Sequence, residues 1–373
     1  MKKTFVLLFL FSLCFKIYSQ KTLVFFGSFN RDKNTEGIYV YELDTHKGKL
    51  IKKYSVKGFL NPSFLTISPD GKYLYACTES KTKNAGSVSS FAIDSENSSL
   101  TFINSQKSGG ENPVYLSVHR NGKWLINGNY TEGSISVFPL AANGSISPPV
   151  QNIHYQEGSI NPHRQERSHI HATVFSPGYH YVIAPDLGAD KLRIFDFDET
   201  QDQPLKNDTE RVVKATLGSG PRHFTFHPNA QVGYSIEEMG GAVSVYNVNN
   251  GRLEVLQRIF THPETKEIEF ESSDIHLSPD GKYLYATNRG SENNIAIFAV
   301  RNDGSLKTVG YQAIKGKQTR AFAIDESGKF LITTNAGTGD ITLFKRDPDT
   351  GLLKKIGKKV KIKGASSIQI RNY

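Results

Sequence analysis

Cysteine is nearly absent: the 373-residue chain has two, Cys14 and Cys77. So few exclude a disulfide framework and a multi-cysteine zinc site. No stretch has a convincing helical period, and the chain reads as all-β. No block of basic residues is built for nucleic acid. The 45 Lys and Arg are scattered, and against 36 Asp and Glu they leave a formal charge of only +9. Disorder is excluded in turn: 11% of residues are aromatic and 22% are charged, which leaves enough apolar material for a core. The length alone favours two or three domains, although all-β chains often exceed that size as one unit.

The chain also lacks a long hydrophobic run. Phe5–Phe15, broken only by Ser12, is too short for a comfortable transmembrane span. Lys2 and Lys3 precede it, Lys16 ends it, and Ile17-Tyr18-Ser19 before Gln20 offers a cleavage site ending on a small residue. Residues 1–19 are therefore expected to be a secretory signal and residues 20–373 the exported domain, periplasmic or secreted, with no membrane attachment after cleavage. Leu13 before Cys14 fits a lipoprotein site poorly. Cleavage leaves Cys77 alone, so stability must come from core and topology. Cys77 lies in the apolar run Tyr73–Cys77 and is expected to be buried.

What is present is a repeat. PSFLTISPDGKYLY from Pro62 recurs as PVYLSVHRNGKWLI from Pro113, IHATVFSPGYHYVI from Ile170, PRHFTFHPNAQVGY from Pro221, SSDIHLSPDGKYLY from Ser272 and TRAFAIDESGKFLI from Thr319. The starts are separated by 51, 57, 51, 51 and 47 residues. Each copy reads as strand, turn, strand, and Asp-Gly suits a tight hairpin. A third strand follows each (GSVSSFAI, GSISVFPL, DKLRIFDF, GAVSVYNV, NNIAIFAV, DITLFKRD), then a weaker fourth such as RLEVLQRI. Four strands per unit of this length is the β-propeller pattern. Residues 22–30, 37–44 and 49–56 read as second, third and fourth strands without a first, which ASSIQIRN (365–372) supplies. Six whole units and one split between the termini predict a seven-bladed β-propeller with four antiparallel strands per blade. The split blade would close the ring without an exposed edge.

First strands line the channel of a propeller, so functional residues should stand where copies differ. The second position reads Ser63, Val114, His171, Arg222, Ser273 and Arg320. The position across the hairpin reads Glu79, Tyr130, Leu187, Glu238, Arg289 and Ala336. Arg222 should face Glu238, and Arg289 should lie near Ser273. Asn129, Asp186, Asn288 and Asn335 end the second strands one residue earlier. Such a cluster suits an anionic ligand. Arginine forks bind carboxylate or phosphate and stabilise an oxyanion. His171, with a reference pKa near ~6.5, is the preferred general base. Arg222 would depress Glu238 and leave it an orienting role. The competing reading makes Arg222–Glu238 a structural ion pair and His171 a wall residue. His169, Asp274, Arg320 and Asn288 are secondary substrate-binding candidates, and His223, His227 and His276 are assigned to blade packing.

The segments HIHATVFSP (169–177), PDLGADKLRIF (185–195), GPRHFTFHP (220–228), YSIEEM (234–239) and SPDGKYLYATNRG (278–290) resemble the seven-bladed propeller lactonases, including the propeller-type 6-phosphogluconolactonases and the fungal carboxy-muconate lactonising enzyme. The resemblance spans nearly all of the mature chain. It implies opening of a sugar lactone at the channel mouth, with no metal or other cofactor, and His171, Arg222, Glu238 and Arg289 as the site. Glu237 departs from the family's usual uncharged residue there. A signal peptide departs from the cytosolic setting of phosphorylated gluconolactone. The expected partner is a small anionic lactone, and the expected state is a monomer or weak oligomer. Other readings are the reverse, lactonising reaction, a non-catalytic binding propeller, and a calcium-dependent esterase using Glu238, Asn288, Asn335 and Asp274.

Overall fold

The computed structural model describes residues 20–263 and 269–373. The proposed signal, residues 1–19, lies outside the described residues. Twenty-eight strands form seven four-stranded antiparallel sheets, with no α-helix among the described residues. Blade 1 holds β1 (Thr22–Ser28), β2 (Ile38–Asp44) and β3 (Lys49–Val56), and blade 2 holds β4 (Phe64–Ile67), β5 (Tyr73–Thr78), β6 (Ser87–Asp94) and β7 (Ser99–Lys107). Blade 3 holds β8 (Pro113–Val118), β9 (Trp124–Asn129), β10 (Ser134–Pro139) and β11 (Gln151–His154). Blade 4 holds β12 (Val174–Phe175), β13 (Tyr181–Asp186), β14 (Lys191–Phe197) and β15 (Leu205–Lys214). Blade 5 holds β16 (Pro221–Phe226), β17 (Val232–Glu237), β18 (Ala242–Asn249) and β19 (Arg252–Phe260). Blade 6 holds β20 (Ser272–Leu277), β21 (Tyr283–Asn288), β22 (Asn294–Val300) and β23 (Leu306–Ala313). Blade 7 holds β24 (Thr319–Ile324), β25 (Phe330–Asn335), β26 (Asp340–Arg346) and β27 (Leu353–Lys361). The last strand, β28 (Ala365–Asn372), is the missing first strand of blade 1.

The sequence explains this layering. Middle strands such as β5 (YLYACT) and β25 (FLITTN) are apolar or small throughout because both faces are packed against neighbouring blades. Outer strands such as β27 (LKKIGKKVK) expose lysines on the rim, which also discourages edge-to-edge pairing. The core divides into seven clusters, each spanning two adjacent blades. One joins Tyr234 and Val245 of blade 5 to Leu284 and Phe298 of blade 6, and another joins Val24 and Tyr41 of blade 1 to Ile332 and Leu343 of blade 7. Seven clusters for seven blades leave no interface empty, so the ring is closed. Cys77 is fully buried in the cluster between blades 2 and 3.

The closure is the predicted split blade. β28 pairs with β1 from Thr22↔Asn372 to Ser28↔Ala365. Lys21 and Tyr373 exchange backbone hydrogen bonds of 2.9 and 2.8 Å just beyond it.

One departure from a regular repeat prepares the site. In blades 3, 5, 6 and 7 the inner-strand ladder slips near its second residue: between Pro113 and Tyr115, Pro221 and His223, Ser272 and Ile275, and Thr319 and Ala321. A bulge leaves its extra residue unpaired and re-aims its side chain. The skipped residues include Val114, Arg222 and Arg320, members of the position that varies between copies. In blade 4 the ladder is shorter than the sequence predicts. Only Val174–Phe175 and a bridge from Ile170 to Asp186 pair as a ladder, and the Asp186 side chain takes the His169 amide.

Candidate active site

The mouth of the channel where inner strands begin and second strands end holds a cavity of about 330 Å³. His171, Glu238, Arg289, Arg320, Lys81 and Arg164 are among its lining residues. Three of the four residues first in line from the sequence, and one of the secondary candidates, thus meet around one opening.

Glu238 is the electrostatic centre. Its Oε2 accepts from Arg222 Nε at 2.8 Å and lies 3.0 Å from Arg289 Nη2. Its Oε1 accepts from Arg164 Nη2 at 2.5 Å. Burial alone would raise its pKa, but Arg289, Arg222 and Arg164 outweigh burial and hold the carboxyl well below the usual carboxylate range. Glu238 is ionised at every working pH, which suits an organiser of guanidiniums and not a base. The preceding Glu237 is spent elsewhere: its Oε2 accepts from Arg258 Nη2 at 2.7 Å and its Oε1 from Ser244 at 2.6 Å. The acid of the site is therefore Glu238.

Arg222 faces Glu238 as expected, but it does not line the cavity. It is 1% exposed and sits behind the wall. Its Nη1 donates to Ser273 O at 2.7 Å and lies 3.0 Å from His223 Nε2. His223 Nδ1 in turn pairs with Asp274 Oδ1 at 2.8 Å. Two sequence expectations gain detail here. Arg222 holds Glu238 from behind, and His223, which packs between blades as expected, also braces Arg222. Burial and Arg222 push the pKa of His223 down to about 4, so its ring is neutral, with Nε2 accepting from Arg222 and Nδ1–H facing Asp274.

His171 lines the cavity, with its ring edge-on to Tyr130 at 5.5 Å and to His223 at 5.2 Å. Its Nδ1 is buried without a hydrogen-bond partner. Burial, then Arg222, His223 and Arg320, push its pKa well below the ordinary histidine value. The reference value near neutrality used for the sequence does not hold in this setting. The ring is neutral at pH 7, with a lone pair available.

Three secondary candidates fall outside the cavity. Asn288 is fully buried: its Oδ1 accepts from Ser272 and Thr261 at 2.8 and 2.9 Å, and its Nδ2 donates to Thr261 O and Asn294 at 2.7 Å. Asp274 lies deeper in the channel between His223 and His276 Nε2 (3.2 Å) and accepts from the Phe322 amide. His169 stacks on Tyr130 at 4.3 Å and bonds its carbonyl, so it supports the wall. Asn335 likewise bonds Thr319 and Asp340. The oxygen set imagined for calcium is therefore not assembled, and among the described residues no three His, Cys, Asp or Glu are grouped for a metal.

Arg164, Lys81, Gln318 and Glu271 were not singled out from the sequence. The one signal for Arg164 was the 57-residue spacing before Ile170. The extra length forms a loop over the mouth, fastened by the PDLGAD motif. Asp190 accepts from Ser159 Oγ (2.5 Å) and from the Gly218 and Gly220 amides (2.7 and 2.8 Å), just ahead of Arg222. Asp186 takes the His169 amide and Arg193 Nε at 2.9 and 3.0 Å. Arg193, stacked on Tyr155, reaches Glu157 at the foot of the loop. Gly188 is obligatory, since a Cβ there would meet Arg167 O at 1.8 Å. The motif thus locks the loop and the start of blade 5 together.

A closed seven-bladed ring with a guanidinium-rich mouth and a neutral imidazole defines a propeller with a cationic channel mouth. The chain belongs to the lactonase family of seven-bladed β-propellers, whose description matches residues 23–370. It is 38% identical over 352 residues to a 6-phosphogluconolactonase of Formosa agariphila, covering 94% of this chain and 99% of that one. It is 32% identical over 338 residues to the Bacillus subtilis 6-phosphogluconolactonase, covering 89% and 93%. The structure of the Pseudomonas aeruginosa periplasmic gluconolactonase PpgL superposes with a TM-score of 0.89 at 32% identity, covering 94% and 99%.

Proposed function

We propose that the protein is an exported lactonase that hydrolyses the ring ester of a sugar lactone at this mouth. The observation that carries the reading is the convergence of a neutral His171 with Arg289, Arg164 and Glu238 on one cavity, in a chain of the lactonase family. Export rests on the pattern of residues 1–19 and on likeness to a protein described as periplasmic.

In this reading the lactone carbonyl lies toward Arg289 and Arg164, whose donors stabilise the charge that develops on its oxygen. Water adds to the carbonyl carbon as His171 takes its proton. The ring acyl–oxygen bond then breaks, and the imidazolium returns the proton to the leaving alkoxide, giving the hydroxy acid. The low proton affinity of the free imidazole is offset once the developing oxyanion balances Arg222 and Arg320. Arg222 acts through Glu238, as a positioning residue.

The test is lactone opening followed with a pH indicator. His171→Ala should lose roughly 10²–10⁴ in kcat, and Arg289→Ala roughly 10²–10³, with the β-sheet circular dichroism unchanged. Full activity in both variants sinks the assignment.

A further inference from the structure

Arg222 rests on two carboxylates. Glu238 takes its Nε directly, and Asp274 reaches it through one imidazole. The chain runs from Asp274 Oδ1 to His223 Nδ1 (2.8 Å), from His223 Nε2 to Arg222 Nη1 (3.0 Å) and from Arg222 Nε to Glu238 Oε2 (2.8 Å). It begins on blade 6, crosses to blade 5, and ends on the carboxylate oxygen that also lies 3.0 Å from Arg289 Nη2. Asp274 itself does not line the cavity at the mouth.

One arrangement of protons satisfies this chain. A guanidinium has no lone pair to accept with, so His223 Nε2 is the acceptor and the ring proton sits on Nδ1. That proton needs an acceptor of its own, and Asp274 faces it. Every other partner of Asp274 is also a donor. Its Oδ1 takes the Ile275 amide at 3.0 Å, and its Oδ2 takes the Phe322 amide at 3.0 Å and His276 Nε2 at 3.2 Å. A carboxylate accepts on both oxygens, whereas a carboxamide accepts on one and donates from the other position. Burial alone would raise the pKa of Asp274, but His276 and His223 hold it well below the usual carboxylate range, so both oxygens stay acceptors. The His223 ring lies edge-on to Tyr115 at 5.3 Å and to His171 at 5.2 Å, so the chain also passes beside the proposed base.

We propose that Asp274 is a positioning residue of the reaction: it holds the His223 proton on Nδ1, which leaves Nε2 to fix Arg222, and through Arg222 it sets Glu238 and the Arg289 donors at the mouth. The inference rests on the lactonase reading and adds to it a residue outside the cavity.

The test combines Asp274→Asn with His223→Gln. In Asp274→Asn the side chain keeps its shape but has one acceptor oxygen. With that oxygen on the Phe322 amide, its Nδ2 faces His223, whose Nδ1 must then accept, and the ring proton moves to Nε2 against Arg222. Two-bond 15N–1H spectra should show His223 protonated on Nδ1 in the native protein and on Nε2 in Asp274→Asn. On glucono-1,5-lactone, kcat should fall about tenfold or more, the worth of a hydrogen bond to a charged group, with KM changed far less. His223→Gln offers Arg222 an oxygen near the place of Nε2 and cuts the link to Asp274. Adding Asp274→Asn to that variant should therefore cost less than about twofold in kcat, because the two sites act as one. A role confined to stability predicts the same loss in both backgrounds. Equal losses, an Asp274→Asn variant with native kcat, or a native His223 protonated on Nε2 would overturn the relay and leave lactone hydrolysis standing. The native spectrum decides even where Asp274→Asn does not fold. If the native protein opens no lactone, the hydrolytic reading falls; a His223 tautomer that follows Asp274 then keeps the relay, and an unmoved one overturns it.

Discussion

Replacing Glu238 by Gln removes the one negative charge shared by Arg164, Arg222 and Arg289 while keeping the side chain's shape. The cost falls mainly on Arg222. At 1% exposure it has no water to turn to, and it keeps only Ser273 O and a neutral His223 as partners. Arg164, whose side chain is 41% exposed, loses less because solvent replaces part of the attraction. Breaking one side of a buried pair costs about 3–5 kcal/mol. For a domain of this size an unfolding entropy of about 2.1 cal/mol/K per residue converts that loss to a fall in Tm of roughly 4–7 °C. Removing both charges with Glu238→Gln/Arg222→Gln should cost less than the sum of the single variants, with a coupling of about 1.5 kcal/mol or more. The assay is thermal and urea unfolding of the four proteins. A Tm within about 1 °C of native for Glu238→Gln, or single effects that add within about 0.5 kcal/mol, would refute Glu238 as the organiser of the site.

Two further outcomes follow from the geometry. Because the folded environment lowers the pKa of His171, the ring stays unprotonated as pH falls through 6.5, so the acid limb of kcat/KM should lie well below that value. An acid inflection at the ordinary histidine pKa would contradict this. Deleting residues 365–373 strips blade 1 of its inner strand and uncovers Leu23, Phe25 and the rest of β1; size-exclusion chromatography and circular dichroism should find aggregate, and a soluble, cooperatively melting product would overturn the account of ring closure.

The architecture was readable because each blade repeats one alternation of apolar strand and turn. SPDG at Ser68 and again at Ser278 folds alike, with Gly71 and Gly281 at positive φ and their amides bonded to the serine carbonyls. The second position of each copy stood out in the sequence because its residues differ between copies; a bulge accompanies Arg320 at the cavity, while His171 reaches it from blade 4, where the inner ladder is short. What was hidden lay off the repeat. Lys81 and Arg164 stand on loops, where no period reports a direction. The depth of Arg222, and the turning of Asn288 into the blade, depend on partners from other strands, such as Ser273, Thr261 and Ser272. Glu237 and Glu238 are adjacent in sequence, and only their partners, Arg258 on one side and the three arginines on the other, tell them apart.

The pairing of β1 with β28 joins residues some 350 positions apart. The segment made first must wait, half-dressed, for the segment made last. Six blades are able to assemble from neighbouring sequence, but the seventh depends on a contact of very high separation, which is intrinsically slow to form. Until β28 arrives, blade 1 offers an open strand to any passing chain, so the stretch between synthesis and closure is when this molecule is most open to mispairing.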